Sequence, residues 1–152
     1  MKILVSACLL GSMVRWNNSS KKCTFLEEWA RNNQVELIPI CPEDEAFGTP
    51  RKPIKLIQIE DKIEYNLGQE DVYPELKEKV DEIQSRYNDA SGFIGIFGSP
   101  TCGIGVGVKN KGGFTRGLMH VNSPFPTTEI GHFKNLNSRK VFLEKIRKED
   151  TL

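Results

Sequence analysis

The sequence predicts one α/β domain over its 152 residues, with a central, mostly parallel sheet flanked by helices. Three observations favour this fold. Short, nearly unbroken apolar runs suit strands that are covered on both faces. These runs alternate with stretches in which apolar residues recur every three or four positions, as on one face of a helix. The chain is long enough to bury a sizeable core, and no repeat or low-complexity linker divides it.

The first part of the chain carries two predicted strands and a short helix. Residues 2–7 form the first strand and residues 35–40 the second. Between them, residues 24–33 predict a short helix. Thr24 is its expected N-cap, because Glu27 follows three residues later in a capping-box pattern.

The middle of the chain predicts a hairpin insert and the clearest helix. Residues 44–53 are expected to form a loop, because they contain a glycine and two prolines. Two short strands follow, 54–59 and 63–65, and interrupt the alternation of strand and helix. Residues 71–88 place their apolar side chains on one helical stripe, and residues 92–97 form a third buried strand.

The last third of the chain is less regular. Glycines alternate with isoleucine and valine over residues 103–108, and a polar loop follows. Residues 114–121 are expected to be helical, Pro124 and Pro126 bound a short extended piece, and residues 138–147 predict a terminal helix.

Composition narrows the class of protein. Lys plus Arg number 21 and Asp plus Glu number 20, for a net charge of +1. This balance leaves no excess of positive charge to attract the phosphates of a nucleic acid, so no nucleic-acid partner is expected. No apolar run approaches the length of a membrane span, and no signal-peptide pattern follows Met1. We therefore expect a cytoplasmic protein without a membrane partner, in a compartment where thiols stay reduced.

Three cysteines stand directly after, or within a short turn of, the three buried strands. Cys8 follows the first, Cys41 the second, and Cys102 the third after a turn that begins near Gly98. In an open α/β sheet the functional crevice lies beyond the carboxyl ends of the strands. We expect these three thiols to meet there, whereas Cys23, in a polar loop at the start of a helix, is expected to pack in the core.

The spacing of the three cysteines leaves several kinds of site open. It is too wide for a zinc knuckle with paired ligands, and it lacks the sequential ladder of a bacterial ferredoxin. Three thiolates without an obvious fourth protein ligand indicate an incomplete coordination shell, as in an iron–sulfur cubane with one open iron. Thiolates suit iron–sulfur clusters and zinc far better than magnesium or calcium. A closed structural zinc site with Cys23 as fourth ligand is the plainer alternative.

Polar residues next to these cysteines are candidates for chemistry. Glu43 and Ser99 lie within three residues of a cysteine, and a carboxylate or hydroxyl there could move protons or bind substrate. The alternatives are a solvated loop acid for Glu43 and a turn cap for Ser99. Arg15 and Arg51 could neutralise a cluster or bind a phosphate, although each alone is more often a surface residue. The two histidines, His120 and His132, have no metal-like spacing and are expected to be structural or supporting residues.

Four motifs in order give the chain a family resemblance. They are Val5–Gly11 with Val14-Arg15, Cys41-Pro42-Glu43 with Thr49–Pro53, Ser99–Gly103, and the closing helix over residues 136–146. Together they resemble the domain-of-unknown-function 523 family, which includes thiouracil desulfurases.

The resemblance implies a function and a set of site residues. It implies an enzyme with a [4Fe-4S] cluster on Cys8, Cys41 and Cys102, and with Glu43 and Ser99 as the catalytic pair. The implied reaction is non-redox, hydrolytic removal of sulfur from a thiolated uracil base, nucleoside or nucleotide, with sulfide leaving on the open iron. The expected partner is therefore a small thiopyrimidine.

Two loops depart from the family pattern. Residues 44–48 replace a stretch that often holds glycines and a leucine, and residues 16–18 replace an aromatic-Asp-Gly sequence. Both loops are expected to shape the substrate pocket. The rival function is a non-catalytic metal or cluster carrier, or a regulatory module, which would use the same cysteines without Glu43 or Ser99.

Overall fold

The computed structural model describes residues 1–17 and 19–150, so Asn18 of the expected pocket loop lies outside the described residues. The strands and α-helices, in chain order, are β1 (Lys2–Ser6), α1 (Thr24–Asn32), β2 (Glu36–Ile40), α2 (Pro42–Phe47), β3 (Ile54–Ile59), β4 (Lys62–Leu67), β5 (Glu70–Asp71), α3 (Tyr73–Arg86), β6 (Gly92–Gly95), β7 (Val106–Val108), β8 (Gly113–Thr115), β9 (Thr127–Glu129), α4 (Ile130–Lys134) and α5 (Leu136–Asp150). Two 3-10 helices, Ala7–Leu10 and Leu118–His120, complete the described elements.

A four-stranded sheet with the order β2-β1-β6-β9 forms the centre. Each neighbouring pair in it is parallel. Parallel sheets need cover on both faces, and residues 3–6 of β1 and all of β6 are buried accordingly. The predicted fold class, an α/β arrangement around a mostly parallel sheet flanked by helices, is confirmed.

Successive side chains of β1 point to opposite faces of the sheet and pack in two separate apolar layers. Leu4 packs with the apolar stripe of α3 and with Phe93 of β6. Ile3 and Val5 point the other way and pack with side chains of α1, α4 and α5. Burial on both sides fixes the register of β1, because a slip of one residue would exchange the two faces. The carboxyl end of β1 is thereby placed beside those of β2 and β6.

Two smaller sheets lie beyond the central one. Strands β3, β4 and β5 are antiparallel, and their inner residues join the layer that α3 covers. Strands β7 and β8 form a second antiparallel pair, which contacts β3 through a bridge between Ile57 and Lys109. The predicted hairpin insert over residues 54–65 is confirmed. No helix in the described part of the chain is long and apolar enough to cross a bilayer.

Three local predictions are wrong. Residues 42–47, of which 44–47 were expected to be loop, form α2, with Cys41 as its N-cap and Pro42 in its first turn. Residues 114–121 are not an α-helix, because 113–115 pair with β7 and only 118–120 turn into a 3-10 helix. The N-cap of α1 is Cys23 rather than Thr24, and its side chain makes no capping hydrogen bond.

Candidate active site

A pocket of about 210 Å³ lies at the carboxyl ends of the central strands. Cys8, Cys41 and Cys102 all line it, together with Glu43 and Ser99. The structure therefore brings together every residue that the sequence nominated for the site. The volume is small beside the roughly 300–1,000 Å³ of pockets for drug-sized ligands, which suits compact groups.

Cys8 enters the pocket from the 3-10 helix that directly continues β1. This short helix ends at Gly11, whose φ of 97° lies in the left-handed region that glycine tolerates best. The carbonyl of Cys8 accepts hydrogen bonds from the backbone N–H groups of Gly11 and Lys21. Burial raises the pKa of the Cys8 thiol, and the neighbouring guanidinium of Arg15 works against that rise.

Cys41 joins β2 to α2 and caps the helix with its sulfur. Its Sγ atom accepts a hydrogen bond from the N–H of Asp44 at 3.4 Å. The thiol also donates to the carbonyl of Val14 at 3.9 Å, on the loop that follows Cys8. Burial raises the pKa of Cys41 to about 11. Two of the three cysteine loops are therefore in direct contact.

Cys102 is held in a tight turn after β6, and Ser99 organises that turn. The Ser99 Oγ atom accepts hydrogen bonds from the N–H groups of Thr101 and Cys102, at 3.3 and 3.0 Å. The turn-cap alternative for Ser99 is thus correct, although the same hydroxyl lines the pocket. Burial raises the pKa of Cys102 to about 12, with a smaller contribution from the nearby Cys41 thiol.

The backbone of Cys102 rests directly on β6 and His120. A Cβ atom added to Gly95 would lie 1.8 Å from the Cys102 carbonyl oxygen, so only glycine permits this approach. His120 Nε2 lies 2.7 Å from the same oxygen. Because a carbonyl can only accept, the His120 proton is on Nε2. His120 therefore has the supporting role expected for it.

Glu43 and Arg51 form a buried ion pair beside the cysteines. Glu43 Oε2 accepts from Arg51 Nη2 at 3.1 Å, and the two side chains are only 14% and 5% exposed. Burial raises the pKa of Glu43, and the Arg51 charge opposes that rise. Glu43 is therefore not a solvated loop acid.

Arg51 also binds the loops of the pocket together. Its Nη1 atom donates to the carbonyls of Val14 and Gly48 and to Thr49 Oγ1, at 2.8, 3.1 and 3.0 Å. Its backbone N–H donates to the Trp16 carbonyl. The sequence singled out Arg51 but not this network, because its acceptors are mostly backbone carbonyls, on the distant loop of Val14 and Trp16 and on its own loop.

The mouth of the pocket carries two exposed aromatic side chains. Trp16 is 43% exposed and Phe97 is 66% exposed, and both line the pocket. Large apolar groups at this exposure are positioned to contact a ligand. The expectation that the loop around Trp16 shapes the pocket agrees with this placement.

Cys23 lies apart from the other cysteines. It is buried in the apolar layer of β1, α1 and α5, and it is not among the residues that line the pocket. This placement does not suit the alternative of a zinc site with Cys23 as fourth ligand. In the described part of the chain, no three Cys, His, Asp or Glu side chains are placed to hold one metal ion.

The donor set fits a cluster with three protein ligands. All four cysteines are free thiols, and three of them surround one pocket. The ligands of a cubane bind separate iron atoms, so they encircle a cavity instead of converging on a point. Arg15 and Arg51 add positive charge at the wall, which offsets the negative charge of thiolate ligands.

The chain is similar to known proteins in sequence and in fold. Residues 3–129 match the model of the 2-thiouracil desulfurase family. Among solved structures, the chain resembles a [4Fe-4S]-dependent thiouracil desulfidase, TudS, with a TM-score of 0.66 and 23% identity. That match covers 92% of this chain and 97% of TudS. No match was found among curated proteins.

The TudS likeness concerns the fold, whereas the family match spans most of the sequence, including all three pocket cysteines and the Glu43–Arg51 pair. The chain therefore belongs to the 2-thiouracil desulfurase family, also described as the domain-of-unknown-function 523 family, and is an enzyme of that type.

Proposed function

We propose that this protein hydrolyses the thiocarbonyl group of a thiolated uracil, with a [4Fe-4S] cluster held by Cys8, Cys41 and Cys102. The observation that carries the proposal is the meeting of these three thiols with Glu43 and Ser99 in one pocket. The description of TudS as [4Fe-4S]-dependent supports the choice of cluster.

The reaction balances without an electron donor. Water supplies the oxygen of the new carbonyl group, the carbon–sulfur bond breaks, and sulfur leaves as hydrogen sulfide. When bound, a cluster of this kind supplies Lewis acidity toward the thiocarbonyl sulfur through the iron that no cysteine holds. The protein must supply the remaining parts, namely substrate orientation and proton transfer.

Glu43 is the group that takes a proton from the attacking water. Its Oε2 atom is held by Arg51, so we assign proton transfer to Oε1. The ion pair fixes the carboxylate at the wall of the pocket, and a positioned acid or base typically contributes about 10²–10⁴-fold in rate. Arg51 thus acts by positioning Glu43.

Ser99 is the group that binds the reacting ring. Its oxygen is already an acceptor for two backbone N–H groups, which fixes the position of Oγ. The hydroxyl hydrogen remains available, either for Thr101 Oγ1 at 3.2 Å or for a ring nitrogen or carbonyl oxygen of the substrate. This geometry favours a hydrogen-bonding role over attack as a nucleophile.

The aromatic residues at the mouth complete the substrate site. Trp16 and Phe97 line the pocket, and stacking on such side chains would stabilise a planar pyrimidine ring there. We further propose that the protein acts in the cytoplasm, where its thiols stay reduced.

The first experiment compares cysteine variants after anaerobic reconstitution with iron and sulfide. Cys8→Ser, Cys41→Ser and Cys102→Ser should each lose bound iron and sulfide, whereas Cys23→Ser, the matched control, should keep both. An equal loss of metal in the Cys23 variant would instead favour the closed zinc site with Cys23 as fourth ligand. Full cluster content in all three pocket variants would refute the proposed ligands.

The second experiment separates catalysis from cluster binding. Glu43→Gln should retain the cluster and lose turnover of 2-thiouracil or a 4-thiouridine derivative by about 10²-fold or more. Turnover at the wild-type rate would remove Glu43 from the mechanism. A wild-type protein that binds the cluster but releases no sulfide from any of these substrates would favour the carrier function.

A further inference from the structure

Ser6 carries a buried hydroxyl that neither the sequence motifs nor the proposed mechanism uses. It is the last residue of β1, is 3% exposed, and lines the pocket. Within the described part of the chain, its Oγ atom has no hydrogen-bond partner. Buried polar groups in folded proteins are nearly always hydrogen-bonded, so we expect this hydroxyl, which lines the pocket, to gain a hydrogen-bond partner in the functional state.

Ser6 shares the lining of the pocket with Cys102. Ser6 lowers the pKa of the Cys102 thiol through a side-chain interaction, although the two atoms do not form a hydrogen bond of regular geometry. Thr101 Oγ1 lies 3.5 Å from the same sulfur. The hydroxyls of Ser6 and Thr101 thus line one pocket with Cys102, the most deeply buried of the three thiols.

The absence of a regular hydrogen bond has a chemical explanation. A neutral thiol is a weak acceptor, whereas a sulfur with thiolate character accepts hydrogen bonds strongly. Ser6 and Cys102 line the same pocket, so the unpartnered Ser6 hydroxyl is available to a Cys102 sulfur that carries thiolate character. Cys41 Sγ already accepts a hydrogen bond from the Asp44 N–H, and the Arg15 guanidinium lowers the pKa of the Cys8 thiol.

We propose that Ser6 is a positioning residue for the cluster, whose hydroxyl donates a hydrogen bond to Cys102 Sγ once that sulfur is a ligand. This inference rests on the proposed function. Hydrogen bonds to cluster sulfurs draw off negative charge and thereby favour the reduced state. Ser6 therefore raises the reduction potential of the bound cluster and slows its loss.

The test uses Ser6→Ala, with Val5→Ala as control. Val5 is also fully buried in β1 but packs in the opposite apolar layer, away from the pocket. In the reconstituted protein, Ser6→Ala should shift the midpoint potential of the cluster to a more negative value and accelerate its loss to an iron chelator several-fold. Val5→Ala should lower the melting temperature and leave the potential unchanged.

The melting temperature of the metal-free protein gives a second readout. Because the Ser6 hydroxyl has no partner there, Ser6→Ala should leave the melting temperature unchanged or raise it. An unchanged potential in Ser6→Ala would overturn the inference. So would equal shifts in both variants, since packing would then explain them. If wild-type protein binds no cluster, the proposed function itself fails, and the inference with it.

Discussion

Removal of Arg51 is the perturbation that tests the architecture of the site most severely. Its side chain is 5% exposed and makes one ion pair and three further hydrogen bonds. Arg51→Ala leaves the Glu43 carboxylate buried without its counter-charge. It also removes the donor that links the Val14 loop to the loop after α2.

The size of the effect follows from this geometry. Breaking a buried ion pair by removing one partner destabilises a protein by about 3–5 kcal/mol, because a charge stays buried without compensation. The exposed pair of Lys77 and Asp81 gives the contrast, since surface pairs contribute about 0–1 kcal/mol. Domains of this kind have about 5–15 kcal/mol of stability, so Arg51→Ala should fold but unfold at a much lower urea concentration.

Urea unfolding of the metal-free protein measures these differences, with Lys77→Ala as the control. A double-mutant cycle adds Glu43→Ala, which removes the charge that Arg51→Ala leaves unpaired. The double variant should be more stable than the sum of the two single effects predicts, by about 1–3 kcal/mol. Additive effects, or a loss under 1 kcal/mol for Arg51→Ala, would refute the reasoning.

Three further predictions concern single positions. Gly95→Ala should destabilise the protein by about 1–3 kcal/mol or more and reduce cluster binding, because its new methyl group would meet the Cys102 carbonyl oxygen. Gly113→Ala is the control: no atom lies within 4 Å of the added Cβ, so its stability in urea should change little. Phe97→Ala should raise KM for a thiouracil about 2- to 12-fold through lost stacking, without loss of iron; an unchanged KM would exclude contact with the ring. Burial raises the pKa of Tyr65 to about 12, so its contribution to stability is complete below the ordinary tyrosine value of about 10 and is lost as pH rises toward 12; Tyr65→Phe should lose less stability than wild type over that interval in urea titrations.

The sequence was sufficient to predict the parts of the fold that depend on local pattern. Helix α3 and the buried strands have strong periodicity or continuous apolar runs, and each is present. Helix α2 escaped prediction because it is six residues long and is capped by a thiol, which is not among the usual N-cap side chains. Residues 113–115 form a strand because β7 pairs with them, a contact that no local propensity encodes.

The candidate site also has features that the sequence predicts and features that it does not. Placement of Cys8, Cys41 and Cys102 at strand ends predicts their meeting, because the carboxyl ends of parallel strands share one edge of the sheet. The contacts of Arg51 with backbone carbonyls leave no signal in a single sequence. Neither does the unpaired hydroxyl of Ser6, since its significance depends on what surrounds it.

The most direct test of the central claim follows the oxygen atom. The reconstituted protein is incubated anaerobically with 2-thiouracil in water enriched in oxygen-18, and uracil and sulfide are quantified by mass spectrometry and a sulfide assay. Hydrolysis predicts uracil and sulfide in equal amounts, one labelled oxygen per uracil, and no need for an added reductant. Unlabelled uracil, turnover that requires a reductant, or no turnover by cluster-loaded protein would contradict hydrolytic desulfuration at this pocket.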